Sequence, residues 1–256
     1  MSDVQRPWVL LRGLGREARH WGAFPAALGT ALGGATVLTP DLDGNGGRHR
    51  LASATTIAGQ LQGLRQQLAE VLAQGPVNVL ALSLGGMVAL EWAQTQPREV
   101  ARLVLVNTSV ASLNPFWQRL RWRNYPRLLS LPMRGLAERE ATILAICSNE
   151  PAARAAALPQ WQAWQRESPV STANLLRQLA AAARYRPRPG WPLCPALIVC
   201  SRQDRLVQSI CSRTLAQATL WPLRCHATAG HDLPLDAPTW LAAEVAAWVA
   251  SLERGE

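Results

Sequence analysis

Ser83 has the setting of a nucleophile. An apolar, strand-type run at residues 77–82 leads straight into it, and a helix-forming run at residues 87–93 follows almost at once. A strand that turns immediately into a helix must fold sharply at the joint. Ala81 and Gly85, two residues to either side, are small enough to let the two backbones approach. The apex residue is then held in a strained conformation with its side chain exposed. The helix behind it aims free N–H groups and a positive dipole end at the same point. The bland alternative is a serine in an ordinary strand-to-helix turn. A serine hydroxyl at neutral pH is a poor nucleophile; it needs a neighbouring base, and the base needs an acid to orient it. Four histidines are available as the base: His20, His49, His226 and His231. Asp41, Asp43 and Asp204 are carboxylates that follow strand-type runs.

These residues are far apart in the chain, so only a fold can gather them. Strand-type runs at residues 7–11, 35–41, 77–82, 102–107, 195–200 and 223–227 alternate with helical patterns. The clearest helical patterns cover residues 20–32, 55–72 and 240–252. Such alternation predicts an α/β fold, a mostly parallel central sheet with helices on both faces. Open sheets of this kind bind ligands at the carboxyl ends of their strands. Residues 112–189 break the alternation: the segment is long, helical in composition and lacks a clear buried strand. It is read as a helical cap or lid over that edge, inserted between core segments 1–111 and 190–256. Its Trp117, Trp122, Trp161 and Trp164 suit an apolar substrate pocket. At helical spacing they equally suit core packing.

Composition narrows the class. A hydrophobic content of 48% is ample for a core and excludes disorder. No apolar run is long enough to span a membrane, and the first residues lack the basic-then-apolar pattern of a secretory leader; a cytoplasmic protein is expected. The five cysteines, Cys147, Cys194, Cys200, Cys211 and Cys225, are scattered and form no C-x-x-C pair, so reduced thiols are expected and a zinc site is not. The net charge of +9 comes from arginine alone, because the chain contains no lysine. A basic surface attracts acidic partners. No nucleic-acid-binding motif accompanies the charge, so a nucleic-acid partner is not expected.

The stretch Ala81-Leu82-Ser83-Leu84-Gly85 resembles the G-x-S-x-G nucleophile elbow of the α/β-hydrolase family, with Ala81 at the first glycine. Gly230-His231 followed by Asp236 and Pro238 resembles the family's G-H-x-x-x-x-E/D-x-P segment, which carries the base, with Asp236 as its structural carboxylate. Ser201-Arg202-Gln203-Asp204 resembles the family's G-x-x-D turn with serine at the glycine, and the order Ser, Asp, His is the family's own. The resemblance therefore implies a triad of Ser83, Asp204 and His231. It also implies that Asp41 and Asp43 belong to a structural loop. By the same match, Arg12-Gly13-Leu14 stands where the family has H-G-x. The Leu14 and Leu84 backbone N–H groups would then be the oxyanion donors. The implied activity is hydrolysis of carboxylic esters through an acyl-enzyme, without metal or organic cofactor. Thioester hydrolysis and other acyl transfers use the same triad, and a catalytically silent binding module on this fold is the alternative from another class. In size and motif layout the chain also resembles esterases that act on the methyl ester of pimeloyl carrier protein. That likeness implies an acidic acyl carrier protein as partner, met by Arg119, Arg121, Arg123 and Arg127. Solvated helix charge explains the same arginines.

Overall fold

In a computed structural model, which describes residues 6–255, six parallel strands form one sheet. They are β1 (Trp8–Leu11), β2 (Val37–Leu38), β3 (Val77–Leu82), β4 (Val100–Val106), β5 (Ala196–Ser201) and β6 (Leu223–His226), in the order β2-β1-β3-β4-β5-β6. β1, β3 and β5 are buried along their whole length. Strands covered on both faces read as continuous apolar runs, as these do. Alternate residues serve opposite faces. Val9, Leu11, Val79, Leu103 and Ile198 pack with α2 (Ile57–Gln67), the short α3 (Ala69–Ala73) and α4 (Leu84–Thr95). Trp8, Leu10, Leu80, Val104 and Leu197 pack on the other side, where α1 (Phe24–Ala31) lies against a long C-terminal helix.

The insertion between β4 and β5 contains α5 (Phe116–Arg119), α6 (Tyr125–Leu129), α7 (Leu136–Cys147), α8 (Pro151–Glu167) and α9 (Thr172–Arg184), and no strand. After β5 come α10 (Ile210–Thr219), β6, α11 (Leu233–Asp236) and α12 (Pro238–Glu253), the C-terminal helix. Among the described residues no helix is long and apolar enough to cross a membrane.

Three local expectations need correcting. The strand expected over residues 35–41 shrinks to Val37–Leu38 at the sheet edge. Pro40 lacks an N–H for the ladder, and the Asp41 carboxylate accepts the Ala18 and Gly47 N–H groups instead. The helix expected over residues 20–32 is split into a 3-10 turn, Ala18–Trp21, and α1. Gly22 between them has φ 54°, outside the helical region, and Pro25 opens the new helix. The helix expected over residues 55–72 begins at Ile57, with the Thr56 hydroxyl capping Gly59, and breaks at Leu68, which joins α2 to α3.

The sheet order reverses direction between β1 and β3: from β1 the chain moves outward to β2, then returns to β3 and continues the other way. In open sheets of this kind ligands bind outside the carboxyl ends of the strands at such a point. Gly13 follows β1 and Ser83 follows β3.

Candidate active site

Ser83 occupies the single-residue joint between β3 and α4 with φ 57° and ψ −118°. That conformation is costly for a residue with a Cβ, about 1–3 kcal/mol. Its surroundings hold it there. The Ser83 N–H donates to Val106 O at 2.9 Å, and its carbonyl accepts the Thr108 hydroxyl at 2.7 Å. Gly85 is required by close approach: a Cβ there would lie 2.5 Å from Leu11 O and 2.6 Å from Arg12 O. Ala81 lies buried in the sheet beside Leu11 and Leu105 and is absent from the residues of positive φ, so its methyl group is accommodated.

The turn after β1 reaches the serine directly. A Cβ at Gly13 would stand 3.1 Å from Ser83 Cβ and 3.6 Å from its Oγ. The Gly15 N–H donates to Gln178 Oε1 on α9 at 2.9 Å, and the Arg16 N–H to Gly13 O at 3.3 Å. Leu14 lies inside this tight turn. Leu84 opens α4, and the first N–H groups of a helix have no partner within it. Leu84, one candidate oxyanion donor, adjoins the serine in the chain, and Leu14, the other, adjoins the glycine that lies against it.

His231 Nδ1 lies 2.7 Å from Asp204 Oδ2, with both side chains buried. The other carboxylate oxygen of Asp204 accepts the Leu206 and Val207 N–H groups at 2.7 and 2.9 Å. An ionised carboxylate only accepts hydrogen bonds. Nδ1 therefore carries the imidazole proton, and Nε2 is left as the acceptor. Two adjacent residues just after β4 bind the His231 and Ser83 loops: Asn107 Nδ2 donates to His231 O at 2.8 Å, and Thr108 donates to Ser83 O. Asn107 has φ 46°, a conformation asparagine tolerates better than most residues. Its side-chain carbonyl accepts the Ser201 N–H at 2.8 Å and so binds β5 as well. Sequence reasoning missed Asn107; its only local signal is an asparagine at the end of a strand. Asp236 accepts from Gly230 N, Asn149 N and the Ser148 hydroxyl, and so fastens the His231 loop to the link between α7 and α8.

The other histidines lie elsewhere. His49 bonds Gly46 O, and His226 at the end of β6 accepts the Ala229 N–H and packs edge-on against Trp240. His20 is buried among Arg16, Trp161 and Trp164. Burial first, then the Arg16 and Arg12 charges, hold its pKa well below the usual imidazole value, so it stays neutral. Among the described residues no cluster of His, Cys, Asp and Glu could hold a metal.

The four tryptophans of the insertion divide into two pairs. Trp161 is 2% exposed and carries the Arg16 guanidinium on its face, while Trp164 packs against His20 and Arg19. Trp117 and Trp122 face solvent, Trp122 at 60% exposure. The arginines divide as well. Arg119 turns inward to the Ala182 and Ala183 carbonyls, and burial lowers its pKa. Arg121 is half-buried. Arg123 is exposed beside Trp122, and Arg127 forms one wall of a cleft of about 190 Å³ with Arg134, Thr142 and Ala145.

The sequence profile of the alpha/beta hydrolase family matches residues 8–244. The chain belongs to that family. Within the family it is 31% identical over 244 residues to a Cronobacter turicensis protein named as a carbamate hydrolase, RutD; the match covers 85% of this chain and 82% of the relative. It is 38% identical over 101 residues to a pimeloyl-[acyl-carrier protein] methyl ester esterase of Aromatoleum aromaticum, covering 40% of this chain and 36% of that one. Its fold superposes with a TM-score of 0.76 on a Mycobacterium tuberculosis protein named as a non-heme bromoperoxidase, BpoC, at 21% identity over 96% of this chain and 92% of the other. The chain is a hydrolase of this family with three departures from its usual motifs. Ala81 and Ser201 are absorbed by the packing and the Asn107 bond already described. Arg12, where the family usually has histidine, is buried and pairs with Asp232.

Proposed function

We propose that this hydrolase cleaves carboxylic esters through an acyl-enzyme on Ser83. The observation that carries the reading is the buried 2.7 Å contact between His231 Nδ1 and Asp204, in a fold that also holds Ser83 at a strained strand-to-helix apex. In this reading His231 Nε2 takes the Ser83 proton as Oγ attacks the acyl carbon. Asp204 fixes the tautomer and stabilises the imidazolium that forms. The Leu14 and Leu84 N–H groups receive the oxyanion. The imidazolium then protonates the departing alcohol, and water, activated by the same base, releases the acid. The helical segment 112–189 acts as the cap over this edge of the sheet. The free thiols suit a reducing compartment such as the cytoplasm.

Two features refine the substrate. The carbamate hydrolase likeness over most of the chain supports a carbamate carbonyl as a second acyl centre for the same serine. The exposed Arg123, Arg127, Trp117 and Trp122, in a stretch with no Asp or Glu between Glu99 and Glu138, support an acyl group delivered on an acidic carrier protein. A fluorophosphonate adduct on the intact protein, lost in Ser83→Ala and His231→Ala, is the expected result. Ester and carbamate panels then rank the substrates. A folded protein that takes no adduct would favour a silent binding module instead.

A further inference from the structure

Arg12 immediately precedes Gly13, the residue lying against Ser83, and Asp232 immediately follows His231. Their side chains meet across 220 residues in two parallel hydrogen bonds, Nη1–Oδ1 at 3.0 Å and Nη2–Oδ2 at 2.6 Å. They are 4% and 3% exposed. The guanidinium also lies over the Trp21 ring at 4.8 Å. On the far side, the Asp232 N–H donates to the carbonyl of Cys147, the last residue of α7, at 2.8 Å. The loop carrying the base is thus held between the turn after β1 and the cap. A planar fork fixes both distance and angle, which a single ammonium contact does not. Burying two charges gives little net stability, because desolvation offsets their attraction. Geometry is what such a pair supplies well.

We propose that Arg12 and Asp232 are a positioning pair: their fork sets the register of His231 against the Gly13 turn, and their mutual neutralisation sets the field at the His231 ring. Neither touches the reacting atoms. The inference rests on the Ser83–His231–Asp204 reading. The other charged and titratable groups around the two loops are Asp204 on the ring, Arg16 paired with Glu140, neutral His20, Asp236 and the Cys147 thiol. Burial pushes that thiol up to about 12, so it is neutral at working pH. None of these groups is altered in the variants below.

The test is the pH profile of kcat/KM on a soluble p-nitrophenyl ester, whose acidic limb reports the base. Arg12→Met leaves the Asp232 anion alone beside His231, favours the imidazolium and should move the limb up by roughly one pH unit. Asp232→Asn leaves the Arg12 cation alone and should move it down by a similar amount. Arg12→Lys keeps the charge but loses the fork. It should hold the limb and lower kcat roughly ten- to hundredfold with little change in KM, the signature of a misplaced catalytic group. A purely structural pair would lower Tm without limb shifts of opposite sign. Shifts of one sign, or none, in folded Arg12→Met and Asp232→Asn would overturn the proposal. Should either charge-deleting variant fail to fold, Arg12→Lys decides: wild-type kcat in a folded Arg12→Lys protein overturns the positioning role. Ser83→Ala and His231→Ala run alongside; if they retained hydrolysis, the triad reading itself would fall, whatever the pair variants did.

Discussion

Asp204→Asn separates orientation of the base from simple loss of a contact. Oδ1 of Asp204 receives two backbone N–H groups, from Leu206 and Val207, and Oδ2 faces His231. An asparagine here must keep its oxygen toward those two donors, since its NH2 would meet them head-on. The NH2 is then forced toward His231 Nδ1 and donates to it. The imidazole proton moves to Nε2, the nitrogen that accepts from Ser83 in the proposed mechanism. Restoring the working tautomer turns an N–H against an NH2 in a buried site, at about 1–3 kcal/mol. Losing the charge-assisted bond to the imidazolium costs about 1.5–3 kcal/mol more. Together these span about 2.5–6 kcal/mol of activation free energy, roughly a hundred- to ten-thousand-fold in kcat. The side chain keeps its shape, so Tm should fall by only a few degrees. Ester turnover and the rate of fluorophosphonate labelling should drop in parallel. A folded Asp204→Asn protein within tenfold of wild type in both assays would refute the reasoning and send the search for the acid elsewhere.

Other perturbations probe the same framework. Gly13→Ala should cost activity rather than stability, roughly tenfold or more in kcat/KM, because the new methyl crowds Ser83 and the position needs no special φ; equal loss of Tm and activity would count against it. Gly85→Ala should do the reverse first, lowering stability by about 1–3 kcal/mol in a denaturant melt, because its Cβ would meet backbone oxygens rather than a movable side chain. Ser83→Gly should be inactive yet more stable than Ser83→Ala by about 1 kcal/mol, since glycine relieves the strained φ. His20 adds an acid-side penalty. Its folded pKa lies below its unfolded value of 6.5, so the unfolded chain binds the extra proton and stability falls as pH drops below about 6.5. The slope approaches about 1.4 kcal/mol per pH unit until the folded pKa is reached. His20→Gln should flatten that part of the stability curve relative to wild type; identical slopes would show that His20 is not buried neutral.

Much of this architecture is legible in local sequence. Apolar runs of strand length, each followed by a helical period, dictate a parallel sheet whichever way its strands are ordered, because such strands must be covered on both faces. The small residues flanking Ser83 announce a tight joint for a reason internal to the stretch: Gly85 has no room for a Cβ. The positions of Asp204 and His231 after their strands are equally local facts. Less legible was the extent of β2, where pairing at an edge competed with the side-chain bonds of Asp41. The division of the tryptophans was not legible at all. Trp161 and Trp122 both lie in helical stretches with a second tryptophan within five residues, yet one is core and the other faces solvent. Burial of a residue in the insertion depends on which neighbour its helix meets, and for Trp161 that neighbour is the turn holding Arg16 and His20.

By itself the sequence determined the layered fold, the chemical types at the sheet's carboxyl edge and the order in which they arrive, because each is written in backbone preference and hydrophobic period. Only the tertiary structure decided that His231 and Asp204, singled out by motif, meet at 2.7 Å, that Asn107 and Thr108 bind the His231 and Ser83 loops, and that Arg12 spends its charge on Asp232. Those are pairings between residues tens to hundreds of positions apart. Hydrogen-bond geometry and desolvation select them after the chain has closed, and for Asn107, Thr108 and the Arg12–Asp232 pair nothing in the local pattern of either partner names the other.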